Sequence, residues 1–268
     1  MVDRLQRWRG WRVKDVHVDG RMTIAAAKKY LPGDEYNDVI GQCITDVCRR
    51  GKFIVFLTSS GALLCHNAMS GYWDSTLEPW TFDYVEGKRT PAMADVRVEL
   101  QLESGEGDVW TLRFHDARMF GSLRFVSPGQ LAAKLDMLGP EALNTAHAYQ
   151  PLEMMTDQKF DAVCQSKKAI KEVITDQSKI VGVGNIYAAE ALWLARIDPR
   201  RSASILNVVE RARLLSAVRD VMQQAIDRKL DYDGLKVYRR KQCPTCASPV
   251  AVEEIKGRKT YWCSTCQK

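Results

Sequence analysis

The sequence predicts an α+β protein: an N-terminal antiparallel β-sandwich, a helical C-terminal domain, and a short four-cysteine hairpin at the end. Three observations predict it. Apolar and polar residues alternate from about Trp11 to Val126, the apolar spacing turns helical after Ser127-Pro128, and two Cys-x-x-Cys pairs fall within "CPTCASPVAVEEIKGRKTYWCSTC". The expected boundaries are 1–130 for the sandwich, 131–232 for the helices and 233–268 for the hairpin. A chain of 268 residues, 46% hydrophobic and 27% charged, has room for two cores, which excludes a disordered class. "KFIVFL" is strand-sized and no apolar run approaches the roughly 20 residues that span a bilayer, so no membrane partner is expected.

In the first half, "VRVELQL" sets Val96, Val98, Leu100 and Leu102 against Arg97, Glu99 and Gln101, one buried face and one wet one. "FIVFL" and "VWTLRF" read as further strands, separated by turn signals such as "SSG" and "ESGEGD". Ser127 suits an N-cap and Pro128 a first helical residue. In the longest helix Asn207 and Glu210 have the spacing of a capping box, and Leu214, Leu215, Val218, Val221, Met222 and Ala225 form a core-facing stripe.

Cys243 and Cys246 form one terminal pair, Cys263 and Cys266 the other, with sixteen residues between them. That spacing suits one four-thiolate zinc ion, and so short a segment needs the metal to supply its folding free energy. Two disulfides are the alternative. "MVDRLQRWRG" is charged and lacks the apolar stretch of a secretory signal, so a reducing compartment, cytoplasmic or nuclear, is expected and zinc is preferred. Cys43, Cys48, Cys65 and Cys164 have no metal spacing and read as buried thiols.

The formal net charge is +6, and it is unevenly placed. From Lys236 onward there are eight basic residues against two acidic, and the first fourteen residues carry Arg4, Arg7, Arg9, Arg12 and Lys14 against Asp3. Two basic patches around a near-neutral middle point to a polyanion, although a solvated face gives the same pattern.

The segment "AIKEVITDQSKIVGVGNIYAAEALWLARIDP" carries most information. One helix runs through Ala169 to Ile174, Gly182 and Gly184 allow a tight turn, and Asn185 opens a second helix whose free N–H groups favour an anion such as phosphate. A turn needed only for packing would look alike, and the Lys-Ser/Thr of a nucleotide P-loop is absent.

Helix, "DQ" and "VGVGNIYAAEAL" resemble the helix-two-turn-helix of the formamidopyrimidine-DNA glycosylase and endonuclease VIII family, and the four-cysteine tail after "VYRRK" resembles its zinc finger. The resemblance runs from about Gly10 to Lys268. "GKFIVFL" resembles the strand that carries the family's basic residue, here Lys52, and "HNAMSG" with "DARMFG" resembles the loops that fill the gap left by an extruded base, here Met69, Arg118 and Phe120. The resemblance implies a monomeric enzyme acting on double-stranded DNA with a damaged or modified base. Lys52, Asn185 and Arg258 would grip phosphates around the extruded nucleotide. His66 is either a further backbone contact or a structural histidine. An apolar wedge, a planar guanidinium and an aromatic ring are the side-chain types that hold a base stack open.

The chain departs from the family at two places. Family members begin, once methionine is removed, with a proline whose amine attacks the sugar C1′ and a glutamate that assists. Here Val2 would offer the amine and Asp3 the carboxylate. The stretch before Gly10 is shorter than the family pattern by roughly nine residues, about 13 Å of helix. The expectation is therefore a glycosylase whose lyase step is weak or absent, with Asp3 or another carboxylate activating water. Second, "DRKLDYDGLKVYRRK" joins the last long helix to the finger directly, where many members carry a loop that closes over an oxidised purine. That disfavours 8-oxoguanine and suits oxidised pyrimidines or a bulky base. The alternatives are a relative that binds damaged DNA without chemistry and a zinc-finger regulator. A regulator reads base edges and has no use for a gap filler.

Overall fold

The computed structural model describes residues 1–77, 93–227 and 234–268, and the chain divides into two compact units. The first spans Met1–Asp136 with Ala146–Gln150, the second Met137–Thr145 with Pro151–Lys268. No helix among the described residues is long and apolar enough to cross a membrane.

The first unit opens with α1 (Val2–Leu5), followed by β1 (Arg12–Val18), α2 (Ile24–Ala27), α3 (Glu35–Val39), β2 (Ile44–Arg50), β3 (Phe53–Thr58), β4 (Ala62–His66), β5 (Gly71–Ser75), β6 (Val96–Glu103), β7 (Val109–Asp116) and β8 (Ser122–Val126), and ends on α4 (Pro128–Asp136). The strands form two four-stranded antiparallel sheets, ordered β1-β6-β7-β5 and β2-β3-β4-β8. Their inward faces share a core around Trp8, Tyr30, Phe56, Trp73 and Phe114. The alternation predicted for β6 holds at Val96, Val98, Leu100 and Leu102. Arg97 does not reach water. It is 7% exposed because its guanidinium pairs with Asp19 at 2.8 Å and donates to the Asp116 carbonyl at 2.9 Å. Buried charge persists when paired and hydrogen-bonded in this way.

The second unit holds α5 (Asp157–Val163), α6 (Ile170–Thr175), α7 (Asn185–Leu194) and α8 (Val208–Asp227), then a hairpin of β9 (Ala251–Ile255) and β10 (Arg258–Trp262). Phe160, Ile174, Val183, Leu192, Leu214 and Val218 sit in its core. Both predicted helix starts are observed. Ser127 and Gln130 exchange side-chain-to-backbone bonds at the start of α4. Asn207 and Glu210 do the same at α8, at 2.9 and 3.0 Å. The stripe on α8 is buried at Leu214, Leu215 and Val218, while Val221 and Met222 pack at the margin of the core. Cys48, Cys65 and Cys164 are buried as expected, whereas Cys43 is only half-buried. Most of the link from α8 to the finger, 228–233, lies outside the described residues.

Replacing Asn207 with Ala removes one half of a reciprocal cap and should lower stability by about 1 kcal/mol. Urea unfolding followed by helical circular dichroism checks this, and an unchanged midpoint would mean that the cap contributes nothing.

Candidate nucleic-acid interface and metal centre

Strand register brings the first group of residues together. On one sheet Arg50 pairs with Phe53, Phe53 with His66, and His66 with Ser122. On the other, Gly71 pairs with Asp116. The chain therefore changes sheets twice at one edge of the sandwich, through 67–70 and through 117–121. Those two turns run side by side, and the two-residue hairpin that carries Lys52 opens at the same end. Met69 is 57% and Phe120 53% exposed. The Arg118 guanidinium lies 4.9 Å from the Phe120 ring centre. The sandwich end thus presents an apolar, a planar cationic and an aromatic side chain to solvent.

These turns are tightly drawn. A Cβ on Gly71 would meet the Asn67 carbonyl oxygen at 2.5 Å, and one on Gly121 would meet the His66 carbonyl at 2.7 Å and the Asp116 carboxylate at 2.8 Å. Only glycine fits such approaches. Met119 takes a left-handed φ of 54°, and its carbonyl accepts from the Lys29 ammonium at 3.0 Å.

Positive charge gathers at this end. The His66 ring packs against Phe53 at 5.2 Å, and the Lys134 ammonium lies 5.8 Å from the Phe53 ring. Burial, followed by the Lys52 and Lys134 charges, holds the His66 imidazole below its ordinary value of 6.5. His66 is thus a neutral ring among cations. Lys134 is a residue that the sequence reading missed, because a lysine on a short amphipathic helix looks like a solvated charge.

The chain start reaches the same loops. Leu5 and Trp8 are fully buried and pin α1 to the sandwich, and the Gln6 amide donates to Asp46 on β2 at 3.2 Å. The Met1 thioether sulfur accepts from the Asn67 amide at 3.0 Å, in the loop that carries Met69. Desolvation lowers the Met1 amino group from its ordinary value of 8.0, although Asp3 acts the other way. Val2 packs at the margin of the core. Asp3 lies 3.1 Å from His147 Nε2, and the His147 carbonyl accepts from the Arg49 amide at 2.7 Å. The first residue thus lies beside the loop that carries Met69.

In the second unit the structure brings Asn185 next to the finger strand that carries Arg258. Its Nδ2 donates to the Lys259 carbonyl at 2.9 Å. The turn before it is braced by Gln177, whose side chain donates to the Val183 carbonyl at 2.9 Å and accepts from the Gly182 amide at 3.0 Å. Two charged residues that sequence reading passed over complete this support. Lys171 is 2% exposed and donates to the Thr260 hydroxyl at 2.6 Å and the Arg258 carbonyl at 3.3 Å. Burial, then the nearby Arg258 charge, lowers it to about 8. Glu190 is 4% exposed and accepts from the backbone amides of Lys236, Val237 and Tyr238 at 2.7–2.9 Å. Glu190 sits between two alanines in "YAAEAL", the signal that could have marked it as buried and partnered, whereas Lys171 stands beside Glu172 and carries no such signal.

The four terminal cysteines form one cluster, with all sulfurs within 4.8 Å of one another. Cys243 and Cys266 sulfurs are 3.9 Å apart, and those of Cys246 and Cys263 3.5 Å. Four thiolates held tetrahedrally at about 2.3 Å from one ion lie about 3.8 Å apart, so the donor set fits a single metal. The Trp193 indole N–H points at the Cys243 sulfur at 3.4 Å, the kind of outer contact that orients a ligand.

Because the His66 pKa is depressed in the folded protein, the unfolded chain takes up that proton first as pH falls. The histidine therefore withdraws stability below about pH 6.5 and is neutral in effect above it. Its NMR titration should have a midpoint below 6.5 that rises in Lys52→Met. A midpoint indifferent to Lys52 would contradict this electrostatic arrangement.

Two family models match the chain: the formamidopyrimidine-DNA glycosylase N-terminal domain over residues 1–123 and the formamidopyrimidine-DNA glycosylase H2TH domain over residues 138–236. The formamidopyrimidine-DNA glycosylase of Vibrio vulnificus (strain CMCP6) is 32% identical over 256 residues, covering 89% of this chain and 87% of the relative. That of Thioalkalivibrio sulfidiphilus is 32% identical over 276 residues and covers 94% of each. Among solved structures, Lactococcus lactis formamidopyrimidine-DNA glycosylase non-covalently bound to DNA with an AP site has a TM-score of 0.80 at 23% identity, covering 100% of this chain and 96% of the other. MutM in complex with DNA containing carbocyclic 8-oxo-G has the same score and identity. At that identity the structural likeness speaks for the fold, and the family rests on the sequence matches. The chain belongs to the formamidopyrimidine-DNA glycosylase family.

Proposed function

We propose that this DNA glycosylase rotates a modified base out of duplex DNA, fills the gap with Met69, Arg118 and Phe120, and grips the flanking phosphates with Lys52, Asn185 and Arg258. The observation that carries the reading is the convergence of Lys52, Met69, Arg118 and Phe120 at one end of the sandwich. Extrusion costs a few kcal/mol of stacking, and side chains that occupy the vacated space offset it. The cations around His66 suit a phosphate, whose charge would stabilise all of them.

For the chemistry, the amine of Val2, exposed by removal of Met1, would attack C1′ as the bond to the base breaks, giving a Schiff base. Loss of the C2′ proton then expels the 3′ phosphate by β-elimination. Asp3, oriented by His147 at 3.1 Å, would protonate the opening sugar. The contact between Met1 and Asn67 supports this route over the weak lyase expected from the shortened start. The names of the relatives favour a ring-opened purine, and the direct link from α8 to the finger favours a lesion that needs no covering loop. A formamidopyrimidine or another open or bulky base meets both conditions better than 8-oxoguanine. Zinc is the metal that suits four thiolates, and its role here is to fix the hairpin whose tip carries Arg258.

Two experiments test the proposal. The protein is incubated with duplexes carrying a formamidopyrimidine, 8-oxoguanine or thymine glycol, with borohydride added during turnover. Covalent trapping on the first, lost when one residue is added before Val2, is the expected result. Alkali-revealed excision without trapping would return the mechanism to water activated by a carboxylate. Separately, Cys263→Ser should release one equivalent of zinc and abolish DNA binding while the sandwich stays folded, and a zinc-free protein with normal binding would refute the structural role.

A further inference from the structure

Asp116 ends β7 and is fully buried, yet no step above uses its carboxylate. Its Oδ2 accepts from the Tyr30 hydroxyl at 2.8 Å and from the Gly121 amide at 2.6 Å, and its Oδ1 accepts from the Ser70 hydroxyl. Ser70 in turn accepts from the Arg118 amide at 3.2 Å. The Asp116 carbonyl takes two more bonds, from Met119 N–H at 3.2 Å and from the buried Arg97 side chain at 2.9 Å. Burial, and then the bond to Asp116, pushes the Tyr30 hydroxyl upward, so it remains a donor.

These bonds lie outside the strand ladders, which already fix β4, β5, β7 and β8. What they join are the two turns. Ser70 follows Met69 directly, and its hydroxyl is held by the carboxylate at the root of the other turn while it receives the amide of Arg118. Neither turn can shift without stripping donors from a buried carboxylate, which is costly.

We propose that Asp116, acting through Ser70, is a positioning residue that locks the Met69 turn and the 117–121 turn into one rigid unit, so that Met69, Arg118 and Phe120 enter the base stack together. This rests on the gap-filling reading above. It differs from a role in stability alone, because it concerns the free energy of extruding a base and leaves the chemistry on an already unpaired base untouched.

Ser70→Ala removes the bridge and keeps the Tyr30 and Gly121 bonds to Asp116, so the variant should fold; Ser70→Thr restores a hydroxyl, and Asp116→Asn weakens the same node from its other side. Amide exchange in 117–121 of the free protein should quicken in Ser70→Ala and return in Ser70→Thr. Excision from a duplex should fall by about tenfold or more in Ser70→Ala and Asp116→Asn, while excision of the same base from a single strand should change less than about twofold. Unchanged exchange, or an equal fall on both substrates, would overturn the inference. If the wild-type protein excised nothing from any duplex, the gap-filling reading would fail by itself, and the coupling of the turns would still be decided by the exchange experiment.

Discussion

The first unit depends on a constraint of register: the chain passes between the two sheets twice at one edge, with His66 opposite Ser122 on one side and Gly71 opposite Asp116 on the other. Two crossings in adjacent rows leave no room for side chains at their inner corners, which is why Gly71 and Gly121 stand there. The outer corners project what the glycines cannot hold, namely Met69, Arg118 and Phe120. Because β3 starts in the same row, Lys52 joins them. The surface proposed to meet a distorted duplex thus arises from strand pairing, with no dedicated element to carry it.

In the second unit the constraint is polar. Asn185, Lys171 and Glu190 each spend a side chain on the backbone of the finger or of the segment leading into it, and two of the three are buried charges. Buried charges left without partners would be strongly destabilising. The finger is therefore held from the helices at the Arg258 and Lys259 carbonyls and the Thr260 hydroxyl, and its four cysteine sulfurs gather at its base.

The sequence made the elements legible where period decides: β6 by its alternation, α8 by its stripe and capping box, the metal cluster by its spacing. Exposed site residues were reached through resemblance, since nothing in the local pattern around Met69 or Phe120 separates a wedge from an ordinary loop residue. The partners that fix them were missed. Asp116 and Lys134 acquire their roles only when strands distant in sequence pair, and a single chain read linearly does not show which acids and bases meet. Nor does a count of residues at the chain start show where Leu5 and Trp8 pin the first helix.

Hydrogen exchange of the whole chain with and without a lesion-bearing duplex decides whether the crossing edge of the sandwich is the surface that meets DNA. Protection should concentrate in 50–53, 66–71 and 116–122, with 256–260 following. Protection confined to the opposite strand ends, such as 57–62 and 103–109, with these segments unchanged, would contradict it.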